Sequence, residues 1–262
     1  MKKLLVIVGG ILVVAAILAA WWARTRPPEV FYRGKPLTFW FTKYVPVAGG
    51  PSTDDIVRAV GTNSIPTILR MLRLKDSKVT TRLIHILRQQ PFIKIRHRDA
   101  SKINGLAADG FRVLGPLASH AVPDLVGILD EHISYDSQTA TIQALAGIGP
   151  AAESAIPSLL RIVGGTNNLL RGEACSALGQ IHRKPEIVVP LLIKCLHEPS
   201  IFVRNPAASA LGLYGADARS AFPALVDCLD DQDAGVRKRA ESSLKQIDSG
   251  AADKIRRIGG TH

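Results

Sequence analysis

Aromatic side chains make up only 5% of this 262-residue chain, and it has only three cysteines. Runs in which Val, Ile, Thr and Tyr alternate strictly with polar residues are missing, which disfavours a sheet protein. An odd, sparse set of cysteines (Cys175, Cys195 and Cys228) excludes a disulfide framework. Cys195 and Cys228 lie 33 residues apart, a separation that recurs below as a structural period. Packed helices stand about 8–10 Å apart, whereas a disulfide needs Cα atoms closer than about 7 Å. Both therefore read as small buried apolar residues.

Catalytic signatures are missing too. The chain has no Gly-x-Ser-x-Gly elbow, no phosphate-binding P-loop, no His-Glu-x-x-His and no dinucleotide-binding glycine fingerprint after a strand. Cys175, His182, Cys195 and His197 match no standard zinc spacing. The sequence thus points to no catalytic, metal or cofactor site, and the chain reads as a binding protein.

The formal net charge of +11 is unevenly spread. Between Arg70 and Arg112 there are eleven Lys/Arg against three Asp; from Val113 onward there are fourteen Lys/Arg against sixteen Asp/Glu. The front of the chain is basic and the remainder is near neutral.

What the chain does have begins with a long apolar run. After a basic n-region at residues 1–3 (Lys2, Lys3), residues 4–22 carry no charge and end on Trp21 and Trp22, with Arg24 and Arg26 beyond. A bilayer-spanning helix needs about 20 such residues, and tryptophans favour the interface. A cleaved signal peptide is the competing reading, but its apolar core runs to only about 7–15 residues. An uncleaved transmembrane anchor is preferred, with an exported repeat domain, because a short basic N-terminus before a first apolar helix usually stays in the cytoplasm. The charge flanking the far side does not decide the orientation by itself.

Residues 23–53 read as a linker and cap. Pro27-Pro28 stops the anchor helix. The aromatic-rich stretch Phe31 to Trp40 is expected to cover the open end of the first repeat, as solenoid ends require; a docking peptide is the second reading. Ala48 to Ser52 reads as a loop.

Residues 54–247 then repeat. Pro66, Pro123, Pro157, Pro190 and Pro223 each follow two residues of one motif, exemplified by Ala-Ile and Val-Val, and the last four are spaced 34, 33 and 33 apart. Proline in a first helical turn loses no hydrogen bond, so each is expected to start a helix A. A second register agrees: Phe111, Leu145, Leu178, Leu211 and Leu244 are spaced 34, 33, 33 and 33 apart. Ala107, Thr141, Ala174, Ala207 and Ala240 stand four residues before them, small enough for a close helix crossing. These residues define a helix B, and Gly147, Gly179 and Gly212 are expected to stop it. Ser200 and Asp233 are expected N-caps. Arg204 and Arg237, in the recurring Val-Arg pair, are read as structural partners of the turns rather than as ligand-binding residues.

The Ala-Ile-Pro-x-Leu-Leu start, with Val-Arg-x-x-Ala-x-x-Ala-Leu-Gly in helix B, resembles HEAT repeats, in particular the PBS lyase HEAT-like subgroup. The resemblance spans about residues 53–247. It implies an all-α, right-handed solenoid of about five helical pairs that binds partners along the concave face formed by the B helices. An apolar leader followed by Gly34-Lys35-Pro36-Leu37-Thr38-Phe39-Trp40 is similar to the layout of bacterial HEAT-repeat proteins. The bilin lyases share this scaffold, but a shared fold does not confer an activity.

The first repeat breaks the period, with 57 residues from Pro66 to Pro123. Helix A from Pro66, a helix from Val79 to Gln89, an insertion from Pro91 to Asp99 and a B-type helix from Lys102 to Leu114 fill the interval. This region holds the candidate interaction surface: Arg70, Arg73, Lys75, Lys78, Arg82, Arg88, Lys94, Arg96, Arg98 and Lys102. Anionic headgroups near the tether come first as its target, then an acidic protein, then nucleic acid, which an outward-facing anchor disfavours. The expectation is a non-enzymatic, membrane-tethered scaffold that binds a protein partner and needs no cofactor. A bilin-lyase-like enzyme, or a nucleic-acid-binding protein if the domain is cytosolic, is the alternative. Residues 248–262 form a C-terminal tail.

Overall fold

The computed structural model describes residues 29–42, 50–77, 82, 99–248 and 250. The expected anchor, the helix from Val79 to Gln89 apart from Arg82, the insertion up to Arg98 and nearly all of the tail lie outside these residues.

The described chain opens with a two-residue hairpin, β1 (Phe31–Tyr32) and β2 (Lys35–Pro36), with Phe31 paired to Pro36. Gly34 turns it at φ +70°. α1 (Leu37–Thr42) follows, and Leu37, Trp40 and Phe41 are buried in the same core as the repeats. The Trp40 indole donates to the Tyr32 carbonyl at 3.0 Å, and their rings meet edge-on, so the hairpin is fixed to α1.

α2 (Thr53–Val60) has a capping box. The Ser52 hydroxyl accepts from the Asp55 backbone, and the Asp55 carboxylate accepts from the Ser52 N–H. α3 (Ile65–Leu72) and α4 (Ala100–Leu114) form the next A/B pair. Four more pairs follow: α5 (Val122–Asp130) with α6 (Tyr135–Ile148), α7 (Ile156–Val163) with α8 (Asn168–Ile181), α9 (Pro185–Leu196) with α10 (Ile201–Tyr214), and α11 (Phe222–Asp227) with α12 (Ala234–Ile247). The result is an all-α solenoid. α2 packs against α4 as one B helix packs against the next, so it occupies a B position ahead of the first full pair.

Both sequence registers correspond to structural positions. Pro66, Pro123, Pro157 and Pro223 lie in the first turn of their helices. Pro190 does not: α9 begins earlier, at Pro185, and Pro190 lies inside it. Phe111, Leu145, Leu178, Leu211 and Leu244 are all fully buried. Each contributes about 1.5–3 kcal/mol by leaving water.

The helix stops differ from the expectation. Gly147, Gly179 and Gly212 lie within α6, α8 and α10, and Gly147 is one residue out of register with the other two. They serve close packing. A Cβ on Gly147 would stand 2.7 Å from the Arg112 Cα, and one on Gly179 would stand 2.8 Å from the Ala210 Cα. The stops are Gly115, Gly149 and Gly215, at φ +53°, +72° and +51°. His182 occupies the equivalent place after α8 in the left-handed region, at φ +48°. After each glycine stop comes a short 3-10 segment: Gly115–Ala121, Gly149–Ala155 and Gly215–Ala221. Its inward alanines, such as Ala118, Ala152 and Ala218, are fully buried.

Capping is also uneven. Ser134, Asn167 and Asp233 accept backbone N–H bonds at the starts of α6, α8 and α12. Ser200 holds the same extended cap position, but its side chain makes no capping bond.

Candidate functional site

The ten cations singled out from sequence fall into two groups. Lys78, Arg88, Lys94, Arg96 and Arg98 lie outside the described residues. Of the rest, Arg73 pairs with Glu131 at 2.9 Å and Arg70 approaches Glu29 at 3.8 Å. Lys75, Arg82 and Lys102 are exposed. The front is therefore basic but partly neutralised, and two of its cations tie α3 to neighbouring segments.

The arginines of the Val-Arg pairs belong to a ladder. Arg204 grips Asp231 through two bonds of 2.8 and 2.9 Å and donates to the Glu198 and Pro199 carbonyls. Arg171, 33 residues earlier, holds Glu198 in the same way and donates to the Val163 carbonyl. Arg237 donates to the Asp231 and Gln232 carbonyls. Only 13% of the Arg204 side chain and 11% of the Asp231 side chain are accessible. The guanidinium beside Asp231 holds its carboxyl below the usual range, and the paired carboxylate raises Arg204 in turn. Arg171 and Arg204 tie their helices to the turn of the next repeat and Arg237 holds the turn of its own pair, so Arg204 and Arg237 act as structural partners of the turns. Arg171 was missed because Leu170, not Val, precedes it; its 33-residue offset was the available signal.

Cys175, Cys195 and Cys228 are buried free thiols. The Cys175 and Cys195 thiols face each other across α8 and α9; that contact and burial push Cys175 up, whereas the contact, with Arg171, lowers Cys195. Burial, with the nearby Asp231 and Asp227 carboxylates, raises Cys228 to about 11. Tyr214, also buried, donates to the Leu178 and Arg183 carbonyls, and burial lifts it to about 12. These groups rigidify the stack. Among the described residues, no three His, Cys, Asp or Glu side chains form a cluster able to hold a metal.

The surface open to a partner is set by how the helices approach. Consecutive B helices pack along their length, whereas consecutive A helices barely touch. Gly147 and Gly179 permit that approach. This closer approach on the B face is what a stack curved toward its B helices requires. One row across that face reads Asp109, Gln143, Ser176, Ser209 and Ser242, each one period from the next. Short side chains leave an open groove. It deepens into a pocket of about 380 Å³ bordered by Asp109, Arg112, Gln143 and Gln180, and into a second of about 320 Å³ near Phe202.

Residues 122–212 and 156–245 match the family model of HEAT repeats. No curated protein matches the sequence. Among solved structures, two engineered proteins align at 19% identity. One covers 77% of this chain and 98% of its own with a TM-score of 0.47. The other covers 79% and 54% with a TM-score of 0.49. Human deoxyhypusine hydroxylase, solved with glycerol, aligns at 18% identity over 77% of this chain and 86% of its own, with a TM-score of 0.37. Among the described residues, no helix is long and apolar enough to cross a membrane.

Proposed function

We propose that this chain is a non-enzymatic scaffold, tethered by residues 4–22 to a membrane, that binds a protein partner through the surface of its repeats. The observation that carries this reading is the groove along the B helices. Ser176, Ser209 and Ser242 keep it low, and two depressions of about 380 and 320 Å³ that share Glu173 and Ser176 lie along it, as a surface for an extended partner should have. The buried polar groups support the same view, because the Arg171 and Arg204 clamps and the Tyr214 bonds connect neighbouring repeats instead of converging on a reacting centre.

Lys2 and Lys3 ahead of the apolar run favour placement of the repeats on the exported side. The tether would hold the basic front beside anionic headgroups, where each Lys or Arg gains about 1 kcal/mol. A reporter fused to the C-terminus tests the topology: activity restricted to the exported side is expected, and a cytosolic result overturns the placement. Chemical crosslinking in the native membrane tests the function. The reading predicts one protein crosslinked in a defined ratio. Crosslinks to lipid or nucleic acid alone would overturn it.

A further inference from the structure

Four large apolar side chains stand exposed at the starts of three successive B helices: Tyr135 on α6, Leu169 on α8, and Ile201 and Phe202 on α10. The first turn of a helix that meets water normally carries polar residues. Here these side chains line a single cleft of about 320 Å³ with Gly172, Pro206 and Asn205. Phe202 is the most open of the four, with 56% of its surface accessible.

Backbone chemistry opens the cleft. Pro206 lies inside α10, one helical turn after Phe202. It has no N–H to give the Phe202 carbonyl. That oxygen instead faces Gly172 of α8, where a Cβ would stand only 2.0 Å away. The pair Gly172 and Pro206 thus brings α8 and α10 together while leaving a backbone acceptor without its helical donor.

The charge of the lining is one-sided. Glu173 and Asp233 contribute carboxylates, and no Lys or Arg lines the cleft. Asp233 caps α12. Glu173 accepts a bond from Gln143 at 3.3 Å and makes no ion pair among the described residues. Asp230 borders an adjoining depression with the Arg204–Asp231 pair. Lys238 and Arg239 stand on α12, outside the lining.

We infer that this cleft is a docking site for a peptide segment of the partner that inserts one aromatic or branched apolar side chain between Leu169 and Phe202 and sets a Lys or Arg against Glu173. The inference rests on the scaffold reading and specifies the chemistry of its partner. Exposed apolar contacts supply the affinity, and the Glu173 carboxylate selects the charge. A negatively charged backbone such as nucleic acid is repelled by the same lining.

A random peptide display library, panned on the full chain and counter-selected on its Phe202→Ser variant, tests the assignment. Selected peptides should carry a Phe, Trp, Leu or Ile flanked by Lys or Arg. A synthetic copy of one selected peptide should bind Glu173→Lys at least tenfold more weakly than wild type. Replacing its flanking cations with Glu should restore binding to that variant. Phe202→Ser should cost at least tenfold for either peptide. Both side chains are accessible, so unchanged melting of the variants will show that the fold is intact. Enrichment of acidic or purely polar peptides, failure to enrich any peptide, or equal binding to Glu173→Lys overturns the assignment. A partner crosslinked in the membrane equally well by wild type and Phe202→Ser overturns the cleft and leaves the scaffold reading standing.

Discussion

Replacing Gly179 by alanine should destabilise the stack, whereas the same change at Gly105 should stabilise it. Both glycines lie inside B helices, so intrinsic helix propensity alone predicts a gain of about 0.5–1 kcal/mol at each. Their surroundings differ. A Cβ at Gly105 meets nothing within 4 Å, whereas at Gly179 it would stand 2.8 Å from both the Cα and the Cβ of Ala210, and 3.2 Å from the Leu213 Cδ1. Ala210 lies on the next B helix, and its backbone cannot move without shifting α10. Overpacking of this kind costs about 1–3 kcal/mol. Taking the middle of that range, about 2 kcal/mol, and subtracting the propensity gain leaves a net loss of about 1–1.5 kcal/mol. For a domain of this size, about 2–4 °C of melting temperature corresponds to each kcal/mol, so Gly179→Ala should melt about 2–6 °C lower. Gly105→Ala should melt at or slightly above wild type. Thermal melts followed by circular dichroism on the full chain provide the comparison. If Gly179→Ala melts higher than wild type, glycine is not required for the approach of α8 and α10, and the argument for a curved B face fails.

Other consequences follow from the clamps and the thiols. Arg204→Met leaves Asp231 with only the Asp233 N–H and should cost about 1.5–3 kcal/mol at neutral pH, measured by urea unfolding. Asp231 is held below its ordinary value by Arg204, so its share of stability is present above about pH 4. That share is lost as the pH falls through the lowered folded value, and the gap between wild type and Arg204→Met should close on acidification. Tyr214→Phe removes the bonds to the Leu178 and Arg183 carbonyls and should lower stability by about 1–2 kcal/mol in the same assay. The three thiols are buried, and Cys228 is raised to about 11, so iodoacetamide at pH 8 should label none of them natively and all three in denaturant, as read by mass spectrometry. The triple variant Arg96→Glu/Arg98→Glu/Lys102→Glu should lose binding to liposomes containing anionic lipid. Binding equal to wild type would remove the headgroup role of the basic front.

Much of this fold was legible because two independent residue classes repeat with one period. Prolines mark the A helices, and buried leucines such as Leu178 and Leu211 mark the B helices, so the pairs follow from spacing alone. The glycines were harder to read. Gly147 and Gly149 lie two residues apart in sequence, yet one packs against a neighbouring helix and the other ends its own, and only the positive φ of Gly149 separates them. The Gly-x-x-Ala-x-x-Ala pattern at Gly115, Gly149 and Gly215 carried that information, because buried alanines three apart fit a 3-10 turn. The capping box at Ser52 and Asp55 was likewise written in the sequence, as Ser-x-x-Asp. The clamp arginines were recognised at Arg204 and Arg237 through their shared Val-Arg pair, and Arg171 required the period rather than the motif. The cleft at Phe202 had no sequence signal of its own. Tyr135 and Ile201 share one register position, while Leu169 and Phe202 share the next, and only helix packing joins these positions into one lining.

The most direct test of partner binding on the B face is site-specific photo-crosslinking in the native membrane. A crosslinker at Ser176 or Ser209, in the row across the B helices, should capture the same protein. One at Asp124 or Lys194, exposed on the A helices α5 and α9, should capture none. Capture from Asp124 and Lys194 with silence at Ser176 and Ser209 would contradict the account.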